Sequence, residues 1–227
     1  MEKAQITPET MAFLGALKAN NDRDWFEAHK TEFKKAQAGA KDFFNVLTDT
    51  MRTHDDIEGM KLFRIYRDVR FSADKTPYNP HFAGSFRRAG ARLRGGYYLR
   101  IRPGESFIAV GFWNPSTPDL LRIRRELELD AGPFRACLED PALRKAWGPL
   151  KGDAVRTAPK GFDKNHPNLD LIRHKQFIFT REFDDRAVVA SDFMDVVNDS
   201  FKAVRLWFDL MSEILTTDLN GRSLLDE

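Results

Sequence analysis

The densest chemistry-bearing run of the chain is Arg67-Asp68-Val69-Arg70-Phe71-Ser72-Ala73-Asp74-Lys75-Thr76-Pro77-Tyr78. Arginine offers a planar fork that grips phosphate or carboxylate at two points, lysine a point charge, and tyrosine a hydrogen-bond donor on an apolar body. Read as a strand running into a turn, the run gathers Arg67, Arg70 and Lys75 as anion ligands, Tyr78 as the group that orients the anion, and Asp68 as a candidate base. The competing reading is structural: Asp68 and Asp74 simply pair with the neighbouring cations. A second polar run, from Ala158 to Lys175, adds Lys160, Arg173 and Lys175 to the same expected pocket and His166 as the other candidate base. Asp163, His166, Asp170 and His174 are residue types that can hold a divalent metal, and a helix opened by Pro167 would set Asp170 and His174 four apart on one face. No HExxH or comparable signature accompanies them, so no metal ligand is assigned and no cofactor is named.

Charge supports an anionic partner. Between Lys61 and Arg102 stand eleven basic residues against two acidic ones, a local charge of +9 in a chain whose formal net charge is +2. Three readings follow. One is a pocket for a small phosphate- or carboxylate-bearing ligand, with turnover left open, where the end of the Phe63–Phe71 segment meets the Lys160–Lys175 loop. Another is a nucleic-acid-binding module using the Arg87–Arg102 segment, with Arg87, Arg88, Arg92 and Arg94 on phosphates and Phe86, Tyr97 or Tyr98 stacked on bases. The third is a non-catalytic interaction protein whose acidic partner docks on Arg87–Arg94, within a glycine-rich run that reads as mobile. Chemistry of several familiar kinds is absent: there is no GxxxxGK[ST] loop, no GxGxxG after a strand and no GxSxG elbow.

These residues need elements to position them. With 227 residues, 42% hydrophobic and 19 Phe, the chain can close a sizeable core and is not a disordered one. A single cysteine, Cys137, excludes an internal disulfide and Cys-based zinc sites. Met1 to Pro8 contains no apolar leader segment, and the longest apolar run, Phe107 to Trp113, is far short of a membrane span; a cytoplasmic protein without membrane contact is expected. Thr7-Pro8 starts a helix that Asn20-Asn21 stops, Asp22 or Asp24 caps a second carrying Trp25, Phe26, His29 and Phe33, and a third runs from Ala36 to about His54. Alternation then predicts a strand over Phe63–Phe71, with Arg67 on its apolar face, a hairpin of Tyr97–Arg102 with Phe107–Trp113, and a strand over Lys175–Phe183 with Arg181 inward. Thr117-Pro118 starts a further helix, Gly132-Pro133 breaks it, and Ser191-Asp192 caps a last long helix striped from Phe193 to Leu215. The expected fold is α+β: a single domain, 1–227, with a mainly antiparallel or mixed central sheet of at least four strands and N- and C-terminal helices packed on it. Its expected core includes Phe63, Ile65, Val69, Phe71, Leu99, Ile101, Phe107, Ala109, Phe177, Phe179, Val197, Val204 and Trp207.

Three motifs in order carry a resemblance: Asn20-Asn21 with Trp25-Phe26 and Lys30; Arg67-Asp68-Val69-Arg70-Phe71-Ser72 with Asp74-Lys75-Thr76-Pro77-Tyr78; and Pro159-Lys160-Gly161-Phe162 with His166-Pro167 and Arg173-x-Lys175. Together, over roughly residues 11–215, the chain resembles the bacterial and fungal family known as domain of unknown function 2461. The resemblance implies one α+β domain in a cytoplasmic setting and brings no reaction with it. Where the family pattern continues after the tyrosine with Lys-Thr-His, this chain has Asn79-Pro80-His81, so a basic contact is missing there.

Overall fold

A computed structural model describes residues 4–225. Thr7 accepts the Thr10 amide at 3.2 Å and Pro8 has no amide to satisfy, so helix α1 (Pro8–Ala19) begins where the sequence places it. Asn20 ends it, and Asp22 starts α2 (Arg23–Ala28) by accepting the Trp25 amide at 2.8 Å. Helix α3 (Lys30–Met51) follows at once and takes Phe33 with it; its buried stripe of Phe33, Ala36, Ala40, Phe43, Phe44 and Leu47 has the helical period.

Five strands, β1 (Ile57–Leu62), β2 (Phe82–Arg88), β3 (Gly96–Ile101), β4 (Ser106–Phe112) and β5 (Phe177–Phe183), form one antiparallel sheet ordered as they occur in the chain. The expected hairpin is β3–β4, and β4 lies inside the sheet between β3 and β5. Between β4 and β5 come α4 (Thr117–Leu129), capped by Ser116, then α5 (Gly132–Leu138), α6 (Pro141–Trp147) and α7 (Leu169–Ile172); α8 (Asp185–Val188), α9 (Phe193–Ala203) and α10 (Arg205–Thr216) complete the chain. The α+β fold is therefore as expected. Within it the chain divides into two compact units. The first runs up to Phe86 and adds Tyr98–Ile108 and Glu182–Asn198; the second comprises Arg87–Tyr97, Ala109–Arg181 and the chain from Asp199 on.

In the first unit α3 covers the start of the sheet, with Phe44 stacked on Phe86 of β2 at 5.8 Å. Gly84 is obligatory there, because a Cβ would sit 2.7 Å from the Phe44 ring. In the second unit Tyr97 of β3 meets Phe201 and Phe208 edge-on at 4.9 and 5.1 Å, and Trp207 is fully buried.

Several expectations are corrected. Residues 63–71 form no strand: β1 ends at Leu62, and the chain then bows out and returns. The Arg67 amide donates to Pro77 O at 2.9 Å, the Asn79 amide to Ile65 O at 2.7 Å, and a single bridge joins Tyr66 to Tyr78. Phe71 is 96% exposed and Phe63 39%, and Val69 and Phe107 are half-buried, so all four leave the expected core; the other nine residues named for it are buried. The last long helix is two, divided at Val204. Pro167 opens no four-residue-spaced face either, since α7 ends at Ile172 and His174 instead pairs with Ala154 in an isolated bridge.

Candidate functional site

The bowed segment 63–81 is held by its own polar groups. Arg67, expected on an apolar face, is only half-buried; its guanidinium donates to Asp74 at 2.6 Å, to the Thr76 carbonyl at 3.0 Å and to the Thr76 hydroxyl. Amide and hydroxyl donation from Thr76, followed by the Arg67 contact, holds the Asp74 carboxyl down at about 2. Arg70 pairs with Asp68 at 2.6 Å, and that side-chain bond, with donation from the Arg70 amide, lowers the Asp68 carboxyl and weakens it as a base. Lys75 donates to Val69 O at 3.1 Å. Tyr78 is 5% exposed and lies flat on Phe26 at 4.0 Å, while Asn21 grips its backbone twice, donating to Tyr78 O at 2.9 Å and accepting its amide at 3.1 Å. The first two sequence motifs therefore meet: Asn21 and Phe26 anchor the returning arm of the segment.

In the second unit Lys160 and Lys175 are exposed, and Arg173 donates weakly to Arg156 O at 3.4 Å. The His166 Nδ1 accepts the Asn168 amide at 3.1 Å, a turn-capping role. Asp170 pairs with Arg135 at 2.7 Å. Among the described residues no hydrogen bond or ion pair joins Lys160, His166, Arg173 and Lys175 to one another, and no group of three or more His, Cys, Asp or Glu is gathered as metal ligands would be.

Two arginines of the Arg87–Arg94 segment, Arg88 and Arg94, are also built into the fold. Arg88 is 1% exposed and donates to Asp209 at 2.8 Å, to Arg94 O at 2.9 Å, to Ser212 Oγ at 3.2 Å and to Phe208 O at 3.4 Å. Arg94 returns the contact, its amide donating to Ser212 Oγ at 2.9 Å and its guanidinium to Asp119 at 2.7 Å. Phe86 and Tyr97 are each 1% exposed. Of the groups expected to read nucleic acid, Arg88, Phe86 and Tyr97 are thus out of reach, and the glycine-rich run expected to be mobile is tied down at Arg94.

The first unit contains a cleft that the sequence reading did not assemble. Along β3, Tyr97, Leu99 and Ile101 are buried while Tyr98 and Arg100 alternate with them on the opposite, open face. Lys61 of β1 and Phe63 just beyond it share that face with Ala83 of β2, the Phe63 amide donating to Ala83 O at 2.8 Å. The bowed segment supplies the other wall: Arg64, Tyr66, Asn79 and His81. The enclosed volume is about 660 Å³. Lys61 and Arg64 have no carboxylate within ion-pair distance among the described residues, unlike Arg67, Arg70, Arg100 and Arg102 nearby. His81 has an enclosed Nδ1 without a hydrogen-bond partner, and burial first, then the Arg100 and Arg102 charges, push its ring down to about 4, so it is neutral at physiological pH. The signal available in the sequence was the spacing of Lys61 and Phe63, two residues apart, and Asn79, which stands where the family pattern has lysine, two residues before His81.

The sequence pattern of DUF2461, described as a conserved hypothetical protein, matches residues 9–209. The chain belongs to this family. The matched span includes every wall of the DUF2461 cleft described here, from Lys61 to Tyr98. No curated protein and no solved structure matches the chain. Among its described residues no helix is long and apolar enough to cross a membrane.

Proposed function

We propose that the protein binds a small phosphate- or carboxylate-bearing ligand, and that the cleft walled by Lys61, Arg64, Asn79 and His81 receives it. The observation that carries this reading is the contrast in pairing: Arg67, Arg70, Arg100 and Arg102 nearby are matched to carboxylates, and Lys61 and Arg64, which line the cleft, have none within ion-pair distance among the described residues. An anion entering there gains two positive charges without displacing an internal partner, while neutral His81 and the Asn79 amide offer hydrogen bonds at no cost in charge. Arg67, Arg70, Lys75 and Tyr78 act on this reading by shaping the wall, since the first three are already bonded within the segment and Tyr78 is held by Asn21 and stacked on Phe26. Thermal unfolding in the presence of inorganic phosphate and of small carboxylates tests it. Saturating ligand should raise the midpoint of the native chain, and Lys61→Gln with Arg64→Gln should remove the shift while leaving the ligand-free midpoint in place. A shift that survives the double substitution places the anion elsewhere.

A further inference from the structure

The open face of the first unit carries a row of aromatic rings. Phe63 lies 6.3 Å from Tyr98, and Tyr98 lies 5.5 Å from Phe107, centroid to centroid, on three different strands or strand ends. Neighbouring rings are tilted by 40° and 36°, and cations lie over the two outer ones: the Lys61 ammonium is 5.7 Å from the Phe63 centroid, and the Arg100 guanidinium 4.4 Å from that of Phe107, which leaves Tyr98 as the ring without a cation over it among the described residues. None of the three rings belongs to the core, and Phe63 is 39% exposed. Flat rings on the uncovered face of an antiparallel sheet, beside cations, are a stacking platform for planar heterocycles, because every nucleobase has a π-face and every nucleotide a phosphate.

The two ends of the row are electrically unlike. At the Phe107 end the adjoining recess of about 490 Å³ is lined by Glu105, Glu182 and Asp184, and Arg100 and Arg102 are already engaged by Glu105 at 3.7 and 3.3 Å. A phosphate is repelled there. At the Phe63 end Lys61 and Arg64 are unpaired, and the Asn79 side-chain amide, which has no partner among the described residues, presents a donor and an acceptor side by side. We infer that the ligand of the cleft is a nucleotide unit, its base laid on Tyr98 with the tilted Phe63 ring beside it and its phosphate held by Lys61 and Arg64, with Asn79 at the base edge. This rests on the anion-binding reading above and adds the planar base to it. The same unit arrives either as a free mononucleotide or within a single strand.

Calorimetric titration of the full chain at low salt with adenosine 5′-monophosphate, ribose 5-phosphate, adenosine and a short oligothymidylate tests the inference. Stacking worth about 1–3 kcal/mol per base corresponds to a roughly 5- to 150-fold preference for adenosine monophosphate over ribose 5-phosphate. Tyr98→Leu keeps apolar volume and removes the platform, so it should erase most of that preference while ribose 5-phosphate binding stays unchanged; Tyr98→Phe should retain it. Equal affinity for the two phosphates, or equal loss of both in Tyr98→Leu, overturns the base-stacking inference and leaves anion binding standing. Adenosine binding that depends on Tyr98 with no response to phosphate or ribose 5-phosphate sinks the anion reading and the phosphate half of the inference, leaving the platform alone. No binding by any probe overturns both. An oligothymidylate that binds more tightly than the mononucleotide, with affinity falling steeply as salt rises, assigns the unit to a single strand, and comparable affinities with a shallow salt response assign it to a free nucleotide.

Discussion

Strand β2 has arginine chemistry near each of its ends, and the two ends use it in opposite ways. At the Arg88 end, in the second unit, a guanidinium with no exposed side-chain surface is wrapped by a carboxylate, two carbonyls and a hydroxyl. Near the Phe82 end, in the first unit, Lys61 and Arg64 stand at a cleft with no carboxylate within ion-pair distance among the described residues. A buried cation must be fully bonded or it costs several kcal/mol, so the first group is consumed by the fold. Exposed cations carry no such requirement, and only there can charge remain available for a ligand. A local count of +9 therefore overstates what a partner meets, since it sums charges of both kinds.

The comparison breaks most visibly at Arg88. Removing its side chain leaves the Arg94 carbonyl without its guanidinium donor, takes one of two donors from Ser212 Oγ, and opens a cavity beside Phe208, whose ring centroid lies 5.1 Å from the guanidinium. Because Asp209 is 52% exposed and can rehydrate, Arg88→Ala should cost about 3 kcal/mol, at the low end for a broken buried pair. Urea unfolding measures it, and a loss under 1 kcal/mol would show that the corner does not depend on its arginine. The same corner needs Gly95, which sits at φ +88° with its missing Cβ 2.5 Å from the Phe208 ring. Gly95→Ala should cost about 2 kcal/mol through strain and overlap together; a neutral result would mean the 89–95 turn relaxes freely.

The starts of α1, α2 and α5 and the β3–β4 hairpin were legible because their signals are local. Thr7-Pro8, Asp22 and Gly132-Pro133 satisfy or punctuate backbone within a few residues. Strands β1 and β2 were not legible. Ile57-Glu58-Gly59-Met60 has low strand propensity, and Phe82-Ala83-Gly84-Ser85 reads as a loop until Phe44 is seen pressing against the glycine. The alternation of Phe63, Ile65, Val69 and Phe71 misled for the opposite reason: the period is right, but the backbone bonds of residues 65–67 are made with 77–79, and a turn so short leaves Phe71 at its exposed tip. Arginines posed a related problem. Sequence marks where a guanidinium is, while its partner lies in a distant segment, Asp209 for Arg88 and Asp119 for Arg94.

Arg67 sharpens the comparison because its expected burial is corrected. Its partner Asp74 is 60% exposed, so Arg67→Ala should cost only about 1 kcal/mol, the worth of a partly screened pair with one backbone bond, and less than Arg88→Ala. Arg70→Ala, at a fully exposed pair, should change the unfolding midpoint by less still. Equal costs for Arg67→Ala and Arg88→Ala would erase the distinction between the two regions.

A pH dependence of about the size of the Arg67→Ala cost reports on the cleft itself. His81 is held neutral down to about 4, against an ordinary value of 6.5, chiefly by burial and then by the Arg100 and Arg102 charges. The folded state therefore binds fewer protons than the unfolded chain between those values, and stability falls as pH falls through that window, with no further loss from this group below about 4. Solvent on the ring's exposed side screens the charge, so the loss should be about 1 kcal/mol. His174, also lowered chiefly by burial, contributes in the same direction, which makes the difference between variants the useful measurement. Urea midpoints of the native chain and of His81→Gln, compared at neutral pH and near the lower end of the window, should diverge at neutral pH and converge as acid removes the advantage of a neutral ring. An anion bound at Lys61 and Arg64 lowers the local positive potential and should ease protonation of His81, so saturating phosphate should flatten the native slope and leave the His81→Gln slope as it was. Parallel slopes with and without phosphate in both proteins would separate His81 from the ligand and confine the anion, if bound, to the Lys61 side of the cleft.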